Sequence, residues 1–327
     1  MKKKILPLPK SVAAHAPLML LFCMGQLTGY FLPNTINIGF TNIHGGAIGP
    51  TSGWYWDQYF NFRTSNKFLD NNGKPFGCVQ GPRFNFFCGL TELIYQSPSI
   101  SSLHARLGLD IQIFYIGSTI GKNEYGLLSD DEIGFVKNSP GIQSSGVGFS
   151  DPYMGLFIQW DPIMRGDDTL FVHRLEFAVS FPAGKYKDGY FLNPGNGCYY
   201  INPNWSATLY MTPRLSLSTN LNYIWSSQKK YSGVQPGQAI FLNYSMEYEC
   251  VNNFWLAVCG YYIGQYTYDK LYGVTIPNSK EQTFSIGPGL LYTVTNKLSL
   301  FSYFYFEKKT KNRAEGISFF LRSQYKF

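Results

Sequence analysis

The stretch RLSLSTNLNYIWS, residues 214–226, decides the fold. Leu215, Leu217, Thr219, Leu221, Tyr223 and Trp225 alternate with Ser216, Ser218, Asn220 and Asn222. Side chains of a strand alternate between its two faces, so a period of two predicts a strand with one apolar and one polar side. The same alternation runs on both flanks. In 238–250, Ile240, Leu242, Tyr244, Met246 and Tyr248 oppose Asn243, Ser245, Glu247 and Glu249. In 281–294, Phe284, Ile286, Pro288, Leu290, Tyr292 and Val294 oppose Thr283, Ser285, Gly287 and Gly289. In the 103–118 run, Leu103, Leu107, Leu109, Ile111 and Ile113 oppose His104, Arg106, Asp110 and Gln112. Such runs exceed the usual strand of about 5–6 residues and match the roughly 9–11 needed to cross an outer membrane at a tilt.

Twelve segments of this kind are predicted: 54–63, 84–96, 103–118, 147–161, 170–182, 199–211, 214–226, 238–250, 254–268, 281–294, 298–309 and 315–327. The even number suits a bacterial transmembrane barrel. The connections after the even segments are short, Thr212-Pro213 and 251–253 among them, and those after most odd segments are long. Short turns on one side and long loops on the other are the pattern of periplasmic turns and external loops. The link 310–314 is a mild exception. Five of the six tryptophans, Trp54, Trp56, Trp160, Trp225 and Trp255, fall near segment ends, where amphipathic rings form interfacial girdles. The expected fold is all-β: one transmembrane antiparallel β-barrel over 54–327, in the outer membrane of a Gram-negative-type bacterium.

Composition agrees. In 327 residues, charged side chains are 14% and aromatic ones 18%, too many rings for a disordered chain. No apolar run reaches the roughly 18 residues of a spanning helix. Residues 1–25 read as a secretory signal, with its end anywhere from 25 to 29: Lys2, Lys3, Lys4 and Lys10 precede the short apolar stretch 16–25. Its removal takes four lysines and no acid, so the net charge falls from +7 to +3, and a nucleic-acid partner gains no support. Residues 26–53, rich in Gly and Pro, are either a periplasmic segment or a lumenal plug. Outside the signal the five cysteines, Cys78, Cys88, Cys198, Cys250 and Cys259, show no metal spacing; a Cys78–Cys88 bridge and buried free thiols stay open alternatives.

Several segments resemble the family named for the MetA-pathway of phenol degradation. They are IGPTSGWYWDQYF (48–60), GVGFSDPYMGLFIQWDP (146–162), LEFAVSFPAGKY (175–186), WLAVCGYYIGQYTYD (255–269), FSIGPGLLY (284–292) and KNRAEGISFFLRSQYKF (311–327). Together they span roughly two thirds of the mature chain, and their order carries more weight than any one of them. The resemblance implies a barrel of about twelve strands linked to uptake of hydrophobic aromatic compounds.

If the apolar faces meet lipid, the opposite faces line the lumen. The candidate lumen residues are Arg106, Asp110, Asp151, Tyr153, Asp161, Arg174, Glu176, Glu247 and Glu249, with Phe114, Phe157 and Tyr210 beside them. Charges there either pair across strands and stiffen the barrel or tune passage. The four histidines, His15, His44, His104 and His173, are scattered, and no nucleophile–base set can be assembled from them, so no catalytic, metal or cofactor site is expected. The expected partners are outer-membrane lipid, a small hydrophobic or aromatic solute, and the barrel-assembly machinery, through a closing strand that ends in Phe327. The expected function is passage of small, partly hydrophobic solutes. The alternatives are a non-transporting surface protein acting through the longest loop, 119–146, a secreted β-sandwich, and a barrel hydrolase.

Overall fold

The computed structural model describes residues 32, 35–49, 51–75, 84–120, 144–187, 190, 192–230 and 232–327. The expected signal, Cys78 and most of the longest loop (121–143) lie outside the described residues.

Twelve strands form one ring: β1 Gly53–Phe68, β2 Phe84–Gln96, β3 Ala105–Ile120, β4 Tyr153–Trp160, β5 Asp168–Ser180, β6 Tyr200–Thr212, β7 Leu215–Ser226, β8 Ala239–Val251, β9 Phe254–Gln265, β10 Gln282–Thr295, β11 Leu298–Lys311 and β12 Ala314–Lys326. Each pairs antiparallel with its neighbours in sequence, and β12 pairs with β1, with Tyr59 opposite Arg322 and Phe62 opposite Phe319. Closure satisfies every strand edge, which lipid requires because it offers backbone groups no hydrogen bonds. The predicted alternation survives as burial. On β8, Met246 and Tyr248 are exposed while Ser245 and Glu247 are buried. Exposed Phe60, Phe62, Leu156, Phe177, Leu221, Met246, Leu256, Ile286, Phe306 and Leu321 spread over the strands as an outward apolar belt.

The connections 213–214, 252–253 and 296–297 are two-residue turns, and Asn253 takes a positive φ of 68°, as a tight hairpin demands. The opposite end carries the long connections 69–83, 121–152, 181–199, 227–238 and 266–281, together with the short link 312–313. Two elements depart from the expected segments. The fourth segment is broken: a short strand Val147–Phe149 pairs with β3, then Ser150–Pro152 leave the ladder before β4 begins. On the long-loop side, Val234–Gln235, Lys270–Leu271 and Val274–Thr275 make a small separate sheet. Both lie where turn and loop residues dilute the alternation.

Candidate functional site

The barrel interior is filled from within the chain. Leu32, Ile36, Phe40 and Ile43 pack in one buried cluster with Tyr59, Trp255, Tyr261, Tyr305 and Phe320, and Ile48 joins Tyr55, Ile94 and Phe157. Polar contacts fix the segment 35–49 at intervals. Asn42 Nδ2 donates to the Gly260 carbonyl at 3.1 Å and to Tyr305 Oη at 2.7 Å. The Gly39 amide donates to Asn243 Oδ1 at 2.9 Å, and the Tyr305 hydroxyl donates to the Gly39 carbonyl at 3.0 Å. The amides of His44 and Gly46 donate to Glu247 Oε1 and Thr208 Oγ1 at 3.3 and 3.0 Å. The glycines are needed. Gly39 has φ +78°, and a Cβ at Gly46 would overlap the Thr208 amide nitrogen and the Ala207 carbonyl carbon.

A charged belt rings the interior beside this segment. Arg322 binds Asp57, and its guanidinium lies over the rings of Phe301 and Tyr59, 4.5 and 5.1 Å from their centroids. The Tyr59 hydroxyl contacts Asp57 Oδ2 at 3.1 Å and donates to Glu92 Oε2 at 2.8 Å. Gln112 Nε2 lies 2.8 Å from both Glu92 Oε1 and Asp110 Oδ2. Farther round, Arg174 pairs with Glu176 at 3.5 Å, and the Tyr153 hydroxyl meets Glu176 Oε1 at 3.2 Å. Arg322 and Arg174 thus pair with Asp57 and Glu176, while Glu92 and Asp110 are held by the neutral groups of Tyr59 and Gln112.

The nine candidate residues therefore fall into groups. Asp110, Tyr153, Arg174 and Glu176 meet in the belt, around one small cavity. Glu247 is buried and accepts from Ser216, Ser245 and the His44 amide. Arg106 and Asp161, 3.8 Å apart, sit half-exposed at the short-turn end, where Ser99 also donates to Asp161. Glu249 accepts the Asn253 amide in a turn at that same end. Asp151 lies off the ladder and holds the amides of Gly184 and Asn196 at 2.8 and 2.7 Å, bracing the loop side. Burial raises its carboxyl above the usual range, and those two amides work against the rise.

Residues 65–323 match the model of the family described as "Putative MetA-pathway of phenol degradation". The chain belongs to that family. No curated protein matches it. Among solved structures, the COG4313 outer membrane channel from Pseudomonas putida F1 superposes with a TM-score of 0.70 at 12% identity, over 86% of this chain and 97% of that one. Looser likenesses include the translocator domain of the autotransporter NalP from Neisseria meningitidis, at 0.46, 10% identity and 97% and 98% coverage. The CymD monoaromatic hydrocarbon channel gives 0.42, 8% identity and 85% and 89% coverage. The first shares the barrel fold. A closed barrel with an apolar belt places this member of the phenol-degradation MetA-pathway family in the outer membrane of a Gram-negative-type bacterium.

The matched region of the family begins after the lumen-filling segment 35–49. Within it, sequence reasoning missed several inward residues: Glu92, Tyr261, Tyr303, Tyr305, Glu307 and Arg322, with Asp57 and Arg63 just before it. β2, β9 and β11 are apolar on both faces, so alternation gave no inward side. The charges on β1 and β12 stand alone among aromatics, and an isolated charge on an apolar strand was the signal available.

Proposed function

We propose that the barrel passes small, partly hydrophobic solutes across the outer membrane, with residues 35–49 as a lumenal plug. The observation that carries this reading is a cavity of about 80 Å³ between that segment and the wall. Ile36, Phe40, Phe84, Phe86, Ile116 and Phe320 supply apolar sides, and Asn61 and the Arg63–Glu307 pair, 2.7 Å apart, supply polar ones. A pocket that sets apolar walls against fixed polar groups suits a small aromatic molecule carrying a polar substituent. The family description names phenol degradation, and the P. putida neighbour is an outer membrane channel; both agree with this role. The outward face of β12, with Ile317, Leu321 and Phe327 exposed, is the surface we assign to recognition by barrel-assembly machinery.

Uptake tests the reading. Cells making the barrel should accumulate a radiolabelled phenol faster than cells lacking it, with sugar uptake unchanged. Equal phenol uptake by both would overturn the proposal.

A further inference from the structure

Four lysines gather on the outside of the barrel where β11, β12 and β1 reach the long-loop end. Lys308, Lys309 and Lys311 on β11 and Lys67 on β1 are all exposed, and Lys308 is 65% so. Glu315 on β12, 3.6 Å from Lys308, is the acid among them. The backbone builds this cluster. The β10–β11 register shifts between Phe284↔Lys308 and Gln282↔Lys311, and Lys309 takes a φ of +54°. Thr310 turns inward onto Thr283 at 2.8 Å. A bulge of this kind re-aims side chains, here leaving three lysines outside where strict alternation from Phe306 would leave Lys308 alone.

Below the lysines the outer wall is apolar and indented. A recess of about 500 Å³ is lined by Phe62, Phe87, Val147, Phe304, Ile317 and Phe319. Thr64 is at its upper edge, three residues before Lys67, or about 10 Å along an extended strand. At the opposite rim, Arg165, Arg214, Lys297 and Lys326 are mixed with Asp167, Asp168 and Glu249.

We propose that this arc binds a phosphorylated, acylated glycolipid of the outer leaflet, its phosphate on the lysines and one acyl chain in the recess. Position and charge select the occupant. The long-loop end faces the outer leaflet, and the lysines stand at headgroup depth above the apolar belt. A soluble anion would use the lysines and leave the recess; a neutral solute would do the reverse. A headgroup carrying both phosphate and chains uses the two together. The proposal is independent of what the lumen carries.

The test is the thermal midpoint of the full chain, freed of lipid in a neutral detergent and titrated with three probes. These are a bisphosphorylated acyl glycolipid, its dephosphorylated form, and inorganic phosphate. The phosphorylated glycolipid alone should raise the midpoint, and added salt should weaken the effect, because exposed charges are screened. In Lys308→Gln/Lys309→Gln/Lys311→Gln the apparent affinity should fall about a hundredfold, roughly fivefold per lysine, with the lipid-free midpoint unchanged. Val147→Trp, which fills the recess, should weaken binding with every lysine intact. An equal response to the dephosphorylated glycolipid, an equal response to inorganic phosphate, salt independence, or full affinity in the lysine variant would each overturn the proposal.

Discussion

Arg322 on the last strand holds Asp57 on the first across the seam where the barrel closes: its Nη2 and Nε lie 2.5 and 3.0 Å from the same oxygen, Asp57 Oδ2. Both side chains are buried. Replacing Arg322 by Met leaves the Asp57 carboxylate, and the Glu92 carboxylate linked to it through Tyr59, without their nearest cation. Removing one member of a buried pair costs about 3–5 kcal/mol. The urea midpoint of the barrel folded in vesicles should fall accordingly. The double variant Arg322→Met/Asp57→Leu should regain much of the loss, since no charge is then stranded.

The plug should be separable from the barrel. Gly46 is pressed against the β6 backbone at Ala207 and Thr208, so Gly46→Ala forces the segment away from the wall. The barrel ladder does not depend on that contact. Planar-bilayer recordings should show larger or longer-lived conducting steps for Gly46→Ala than for the wild type. The electrophoretic shift between folded and boiled protein should be the same for both. Unaltered conductance would mean that residues 35–49 do not limit the lumen.

A pH dependence is built into the long-loop end. Burial, with the Glu281 charge adding to it, pushes the Asp269 carboxyl from its ordinary 3.8 up to about 7. Its Oδ1 accepts from the Gly237 amide and from Gln265 Nε2, both at 2.7 Å. A carboxyl raised in the folded state favours the protonated protein. Its stabilising contribution is therefore present below about pH 4 and is lost as pH rises through about 7. The urea midpoint of the barrel folded in vesicles should fall across that window. Asp269→Asn should remove this fall.

How much of this was legible in the sequence depends on which physical signal each part carries. The strands were, because a barrel wall between lipid and a polar interior imposes alternation, as on β7 and β8. The lengths of the connections located the short end, 251–253 among them. The interior was read only where one face is polar. Asp110, Glu176 and Glu247 stood out for that reason, whereas Tyr261, Tyr303 and Tyr305 were hidden on strands apolar on both sides. Tyr261 and Tyr305 face inward onto the segment 35–49 at Gly39, which is a long-range fact. The Asp57–Arg322 contact likewise depends on the closing of the ring, which joins residues from opposite ends of the chain.

The belt beside the plug sets a charge preference that can be measured. Asp57, Glu92, Asp110 and Glu176 face Arg174 and Arg322, four carboxylates against two guanidiniums, a formal charge of −2 when all are ionised. Gln112 is neutral and bridges Glu92 to Asp110, so the acidic excess is concentrated at those two residues. A narrow, low-dielectric passage amplifies fixed charge, and rings of acid select cations. In the Gly46→Ala background, the reversal potential across a KCl gradient should therefore report a preference for K⁺ over Cl⁻. Glu92→Gln/Asp110→Asn should bring it close to zero, because two carboxylates then balance two guanidiniums. The same double substitution should leave conductance present, since neither residue blocks the lumen by size. An unchanged reversal potential would mean that ions pass by a route that avoids the belt.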